Sequence, residues 1–151
     1  MNSFDKSDEV RAEELNKKAE RNPGEAKSEI SEMVGLLKSD ERKARGYAAK
    51  ALRLIGGERP ELVEPYIDDM AKLLKESHGL IRGHAALALG KIGSEEPELV
   101  ELFIGEMAEL LNDSHGWARG KAADALGQIG EEYPEKVDPQ IDEKDLQSHI
   151  T

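Results

Sequence analysis

The sequence predicts an all-α fold, a right-handed α-solenoid of antiparallel helix pairs, and three observations predict it. A twelve-residue run occurs three times, as RGYAAKALRLIG at 45–56, RGHAALALGKIG at 82–93 and RGKAADALGQIG at 119–130, and the interval is 37 residues both times. Self-similarity at a fixed period of about 20 to 50 residues marks a stacked array of supersecondary units. The register also extends outward from the run: Pro23, Pro60, Pro97 and Pro134 share one repeat position, Ile30, Ile67, Ile104 and Ile141 another, and Met33, Met70 and Met107 a third. Finally, the apolar residues of each unit recur at helical spacing.

Each unit divides into two segments. The first begins at the proline and places Val63, Tyr66, Ile67, Met70, Leu73 and Leu74 in one stripe at offsets of 3, 4 and 7, which predicts an amphipathic helix. Proline suits the first helical position, where its missing amide hydrogen would have had no partner. Pro65 lies further in and should kink or restart this helix; the aligned residues are Ser28, Leu102 and Pro139. The second segment carries small residues on its packed side, as in Ala44, Ala48, Ala51, Leu52 and Ile55. Gly56, Gly93 and Gly130 are expected to close it in the left-handed conformation. Asp40, Ser77 and Ser114 are the expected caps at its start.

The pattern Arg-x-x-Ala-Ala-x-Ala-Leu-Gly-x-Ile-Gly, following an amphipathic helix that ends in Leu-Leu, resembles the HEAT-like repeat of the phycobilisome-lyase type. Three full units are covered, with two departures: Arg53 stands where the motif has glycine, and the 37-residue period is shorter than the roughly 40 to 47 residues of typical HEAT units. The resemblance implies one HEAT-like domain over 1–151. Residues 1–22 would form an N-terminal cap helix, 23–59, 60–96 and 97–133 three repeats, and 134–151 a C-terminal cap helix and tail. Val10, Ala12, Leu15 and Ala19 give the first cap a thin apolar stripe, and Lys144 and Gln147 replace motif residues in the last. Terminal units of a solenoid need a polar outer face because no neighbour covers it.

Composition narrows the function classes. The chain has 151 residues, no cysteine and a formal net charge of −11. Cysteine-free chains have no disulfides, thiolate metal sites or thiol nucleophiles. The acidity argues against general affinity for nucleic acid or anionic membrane. With no apolar run of spanning length and no signal segment, a soluble cytoplasmic protein is expected.

The charge is placed unevenly. First segments carry acid, as in Glu61, Glu64, Asp68 and Asp69, and second segments carry bases, as in Arg42, Lys43, Lys50 and Arg53. The family resemblance puts the second helices on the concave side, so a basic inner surface is expected on an acidic molecule. Arg45, Arg82 and Arg119 belong to the motif and are expected to pair with nearby carboxylates. Positions that differ between copies are better candidates for contacting a partner, since packing residues should repeat. These are Tyr47, His84 and Lys121; Lys50, Leu87 and Asp124; Leu54, Lys91 and Gln128; and Lys43, Leu80 and Trp117. The candidate partner-binding set is an apolar and aromatic strip of Tyr47, Leu80, His84, Leu87 and Trp117, flanked by Lys43, Lys50, Lys91 and Lys121. Leu80, Leu87 and Trp117 could instead pack on the neighbouring repeat. Gly46, Gly83 and Gly120 each cost about 1 kcal/mol relative to alanine in a helix. They mark either close packing or a groove floor.

No catalytic, metal or cofactor site is expected. His78 and His115 share one turn position but lack a third ligand, and the carboxylates lie on faces that water reaches. The expected function is therefore a non-catalytic scaffold that binds a partner peptide or helix on the concave face of the second helices. The alternatives are nucleic-acid binding through that face, an accessory subunit of a lyase-type enzyme, and self-association through the strip.

Overall fold

The computed structural model describes residues 7–140, and every regular element in that range is helical. Four long helices carry the architecture: α1 (Asp8–Arg21), α3 (Arg42–Glu58), α6 (Gly79–Glu95) and α8 (Gly116–Glu132). They pack side by side in chain order, α1 on α3, α3 on α6 and α6 on α8. The intervening segments form a second layer against them. The fold is an all-α solenoid, and α1 packs on α3 at the start of the row. The expected last helix is described only for α9 (Pro134–Val137) and the 3₁₀ turn Asp138–Gln140. Ile141, Lys144 and Gln147 lie outside the described residues.

The core repeats with the sequence. Ala48, Ala51, Leu52 and Ile55 of α3, Ala85, Ala88, Leu89 and Ile92 of α6, and Ala122, Ala125, Leu126 and Ile129 of α8 are all buried. Ile67, Met70, Leu73 and Leu74 from the first segment close over them, as do their counterparts one repeat on. Burial of these side chains, worth about 1.5–3 kcal/mol each for the larger ones, welds each unit to its neighbours. Among the described residues no helix is long and apolar enough to cross a membrane.

Three local expectations are corrected. The first segments are not single helices. In the second unit, α4 (Pro60–Val63), a 3₁₀ turn (Glu64–Tyr66), α5 (Ile67–Lys72) and a 3₁₀ turn (Leu73–Lys75) follow one another. The first unit runs as a 3₁₀ stretch (Pro23–Glu29) and then α2 (Ile30–Leu36). The third has 3₁₀ turns Pro97–Leu99 and Glu101–Phe103 before α7 (Ile104–Glu109). Pro65 is not the cause, because the break recurs where the aligned residue is Ser28 or Leu102. The recurring feature is a residue in the bridge region just before the isoleucine: Glu29 at φ −111°, ψ 9°, Tyr66 at −114°, 15° and Phe103 at −107°, −1°.

The glycines at 56, 93 and 130 do not end the second helices, which continue two residues further to Glu58, Glu95 and Glu132. None of the described glycines has positive φ. At Gly56 and Gly93 the role is close approach: a methyl group built on Gly56 would lie 2.8 Å from Val63 Cγ2, and one on Gly93 2.5 Å from Val100 Cγ2 and 2.8 Å from Ile129 Cδ1, whereas on Gly130 it would be in ordinary contact, 3.6 Å from Val137 Cβ. The caps also differ. Glu41, His78 and His115 occupy the cap positions without a side-chain cap bond. Instead the residue two places earlier ties the turn in the first and third units, where the Glu41 amide donates to Ser39 Oγ at 3.1 Å and the His115 amide to Asp113 Oδ2 at 2.8 Å.

Candidate functional site

The arginines of the repeated Arg-Gly pair hold the turns. Arg45 donates to the Ser39 carbonyl at 2.9 Å and to Glu76 at 3.0 Å. Arg82 repeats this one unit later, donating to the Glu76 carbonyl at 2.7 Å and, through two parallel bonds of 2.9 and 2.8 Å, to the Asp113 carboxylate. Arg119 donates to the Asp113 carbonyl at 2.7 Å. Each guanidinium of the first two therefore stitches its own turn to the next, as the expected carboxylate pairing requires. Burial pushes the Asp113 carboxyl up, but the Arg82 guanidinium and the His115 amide hold it below the usual range.

The candidate strip separates into three groups. Lys43, Tyr47, Lys50, Leu80 and His84 gather around a pocket of about 350 Å3 between α3 and α6, whose floor and walls also include Gly46 and Ile81 and whose edge includes Arg42. Leu87 and Lys91 line a smaller recess of about 200 Å3 further along the same joint, with Arg53, Leu54 and Gln128. Trp117 and Lys121 sit apart, over the joint between α6 and α8. The Trp117 ring lies on Gly83, where a methyl group would come within 2.3 Å of Cζ3. His84 meets it edge-on at 5.0 Å between centroids, and Lys121 Nζ stands 5.5 Å from its centroid. Trp117 is thus partly a packing residue, while Leu80 in the same repeat position stays 44% exposed.

The strip is less open and less cationic than its sequence implies. The Tyr47 hydroxyl donates to Glu13 at 2.8 Å, and that bond, then burial, raise its pKa and keep the phenol protonated. Lys43 faces Glu9 at 3.8 Å, Lys50 faces Glu20 at 3.9 Å, and Lys121 faces Asp124 at 3.5 Å. All three acids bordering Lys43, Tyr47 and Lys50 come from α1, which runs alongside α3. His84 is mostly buried, and desolvation, then Arg53 and Lys50, lower its pKa to about 4, so its ring is neutral at neutral pH. Among the described residues Arg42 and Lys91 have no ion pair, and no group of three or more His, Asp or Glu is placed to hold a metal.

Two residues outside the candidate set shape this face. Arg42 stands where the later units have Gly79 and Gly116, and Arg53 where they have Gly90 and Gly127. Between α6 and α8 those small residues are covered tightly: a methyl group on Gly79 would meet His115 at 2.2 Å, and one on Gly90 would meet Ala125 Cα at 2.6 Å. Between α3 and α6 the two arginines line recesses instead, Arg42 the larger and Arg53 the smaller. A methyl group on Gly46 would find only Ile81 Cγ1, at 4.0 Å. Their signal in the sequence is a cation in one copy at positions that are glycine in the other two.

Residues 45–143 match the family described as Cnd1, non-SMC mitotic condensation complex subunit 1. Among solved structures, an engineered protein from a structural genomics consortium superposes with a TM-score of 0.70 at 23% identity, covering 98% of this chain and 64% of that one. A second engineered protein from the same source gives 0.68 at 21% identity, with coverage of 94% and 60%. A designed armadillo repeat protein in complex with the peptide (KR)4 gives 0.63 at 18%, covering 94% and 61%. The chain spans about three fifths of the length of each of these structures. At these identities the likeness is one of fold. No curated protein matches.

Proposed function

We propose, from the premise that the chain belongs to the Cnd1 family of HEAT-like repeats, that it is a non-enzymatic scaffold. It binds a segment of a protein partner along the face of its second helices, the concave side in a solenoid of this kind. The observation that carries the reading is the pocket of about 350 Å3 between α3 and α6, which opens on the face of the second helices and is bordered by Arg42, Lys43 and Lys50. Concave, mostly apolar recesses with a few placed polar groups are where ligands bind. The family is described by membership of a multi-protein complex, and a designed neighbour of the same fold class holds a peptide. That peptide is basic; the cationic edge here favours an acidic or mixed segment.

A photocrosslinking side chain tests which face is used. Placed at Gln128, exposed on α8 beside the smaller recess, it should trap a partner in extract. Placed at Leu102, 88% exposed in the other layer, it should trap none. Crosslinking from position 102 alone would assign the binding role to the opposite layer and overturn the proposal, as would absence of crosslinks from both.

A further inference from the structure

The α3/α6 pocket and the Trp117 contact are the same site seen in successive repeats, once empty and once filled. In the α6/α8 joint, the indole of Trp117 lies on Gly83, His84 meets its edge and Lys121 stands over its ring. Shifting every residue back by 37 positions gives Gly46, Tyr47 and His84, all of which border the pocket. The residue in the position of Trp117 is Leu80. It is too short to cross the joint, and it leaves Gly46 without a cover: the nearest atom to a methyl group there is Ile81 Cγ1 at 4.0 Å, against 2.3 Å to the indole at Gly83. The chain therefore builds the seat for an aromatic ring between α3 and α6 and supplies no ring to fill it.

The edge of this seat is cationic. Arg42 has no ion pair among the described residues, and Lys43 and Lys50 face their α1 carboxylates at 3.8 and 3.9 Å. Pairs this long between exposed groups are weak, so carboxylates of an incoming segment can compete for the same cations. Trp and Tyr are the usual anchors of such contacts because they bury a large area with few rotatable bonds.

We infer that this pocket is a vacant aromatic slot, which takes the ring of one Trp, Phe or Tyr from a partner segment whose neighbouring residues are acidic. The inference rests on the scaffold reading and narrows it to one anchor. The ring stacks on Gly46, with Tyr47 at its edge and the neutral face of His84 above it. The carboxylates on either side of the ring meet Arg42, Lys43 and Lys50.

The test uses the full chain and a fluorescein-labelled peptide, Asp-Glu-Trp-Glu-Asp, with blocked ends. Saturable binding is expected, weakening at least tenfold when the peptide's Trp becomes Ala and when salt is raised from about 50 to 500 mM, where screening shortens the reach of the charges. Leu80→Trp should fill the slot from within and abolish binding while the helical circular dichroism and thermal midpoint are kept or raised. Gly46→Leu fills the floor independently and should do the same, so a folding defect in one variant does not decide the matter. Equal binding of the Ala peptide, or unchanged binding to both filled variants, overturns the slot. So does a dimer, detected by sedimentation and dissolved by Leu80→Trp, in a protein that ignores the peptide, since the occupant is then a second copy. A crosslink from Gln128 that persists at full yield in Leu80→Trp would remove the slot and leave the broader face intact; loss of that crosslink in the unaltered protein would remove the face itself.

Discussion

Gly90 and Gly127 occupy one repeat position and face opposite consequences. A methyl group on Gly90 would lie 2.5 Å from Ala125 Cβ and 2.6 Å from its Cα, and backbone cannot move aside as a side-chain tip can; on Gly127 nothing stands within 4 Å. Gly90→Ala should destabilise by about 1–3 kcal/mol through overpacking, and Gly127→Ala should stabilise by about 0.5–1 kcal/mol through helix propensity. Urea midpoints measure both, and equal signs would show that the helices adjust freely. The repeat made these positions visible in the sequence, but not the difference between them, since that depends on what the next helix brings opposite. His84 supplies a pH dependence. Its pKa is lowered from 6.5 to about 4 by desolvation, then by Arg53 and Lys50, so between those values the unfolded chain binds more protons than the folded one. Stability should fall as pH drops through this window. His84→Gln should flatten the fall measured by urea midpoints at pH 7 and pH 4.5. His78, lowered by burial first, adds a smaller fall of the same sign, and a slope unaffected by the substitution would place the proton elsewhere.

At the scale of the element, alanine and leucine periodicity identifies the second helices as continuous, whereas it does not reveal the breaks in the first segments. Their apolar stripe fits a helix as a whole, yet each is broken before its isoleucine. Periodicity reports which face is buried and is nearly blind to a local tightening from 3.6 to 3.0 residues per turn. The starts of the second helices differ from their sequence signal for a related reason. Serine at 77 and 114 has the chemistry of a cap, but the chain is tied by Ser39 and Asp113 one position earlier, because the arginine six residues on pulls the turn's carbonyl toward it. Arg82 and Asp113 are 14% and 11% exposed and joined by two bonds. Asp113→Ala removes those bonds and the acceptor for the His115 amide together. A cost of about 1.5–3 kcal/mol is expected for bonds to charged groups, read as a lowered denaturation midpoint. Arg59 and Glu61, both largely exposed, form the contrasting pair, whose removal should leave the denaturation midpoint nearly unchanged because water and salt screen it.

For the whole molecule, the stack is a row of joints whose strengths add roughly as nearest-neighbour terms, and the joints are unequal. Between α6 and α8, His115, Trp117, Ala125 and Ile129 press onto four glycines. Between α3 and α6, two of those four positions are Arg42 and Arg53, two recesses remain open, and the Arg53 Nε is buried without a hydrogen-bond partner. An orphaned buried donor costs about 1–3 kcal/mol. Opening should therefore begin at this joint, and native-state hydrogen exchange in low denaturant should release the amides of α1 and α3 as one group before those of α6 and α8. Arg53→Leu removes the orphan while keeping bulk, and should bring the two groups closer together. Simultaneous exchange of all four helices would show that the open joint carries no energetic penalty. A segment seated in the α3/α6 pocket touches both sides of the weak joint, so its binding free energy must appear there: at about 100 times its Kd it adds about 2.7 kcal/mol against any opening that separates α3 from α6. The same ligand should slow exchange in α1 and α3 far more than in α8, because only openings that destroy the pocket are opposed by what fills it.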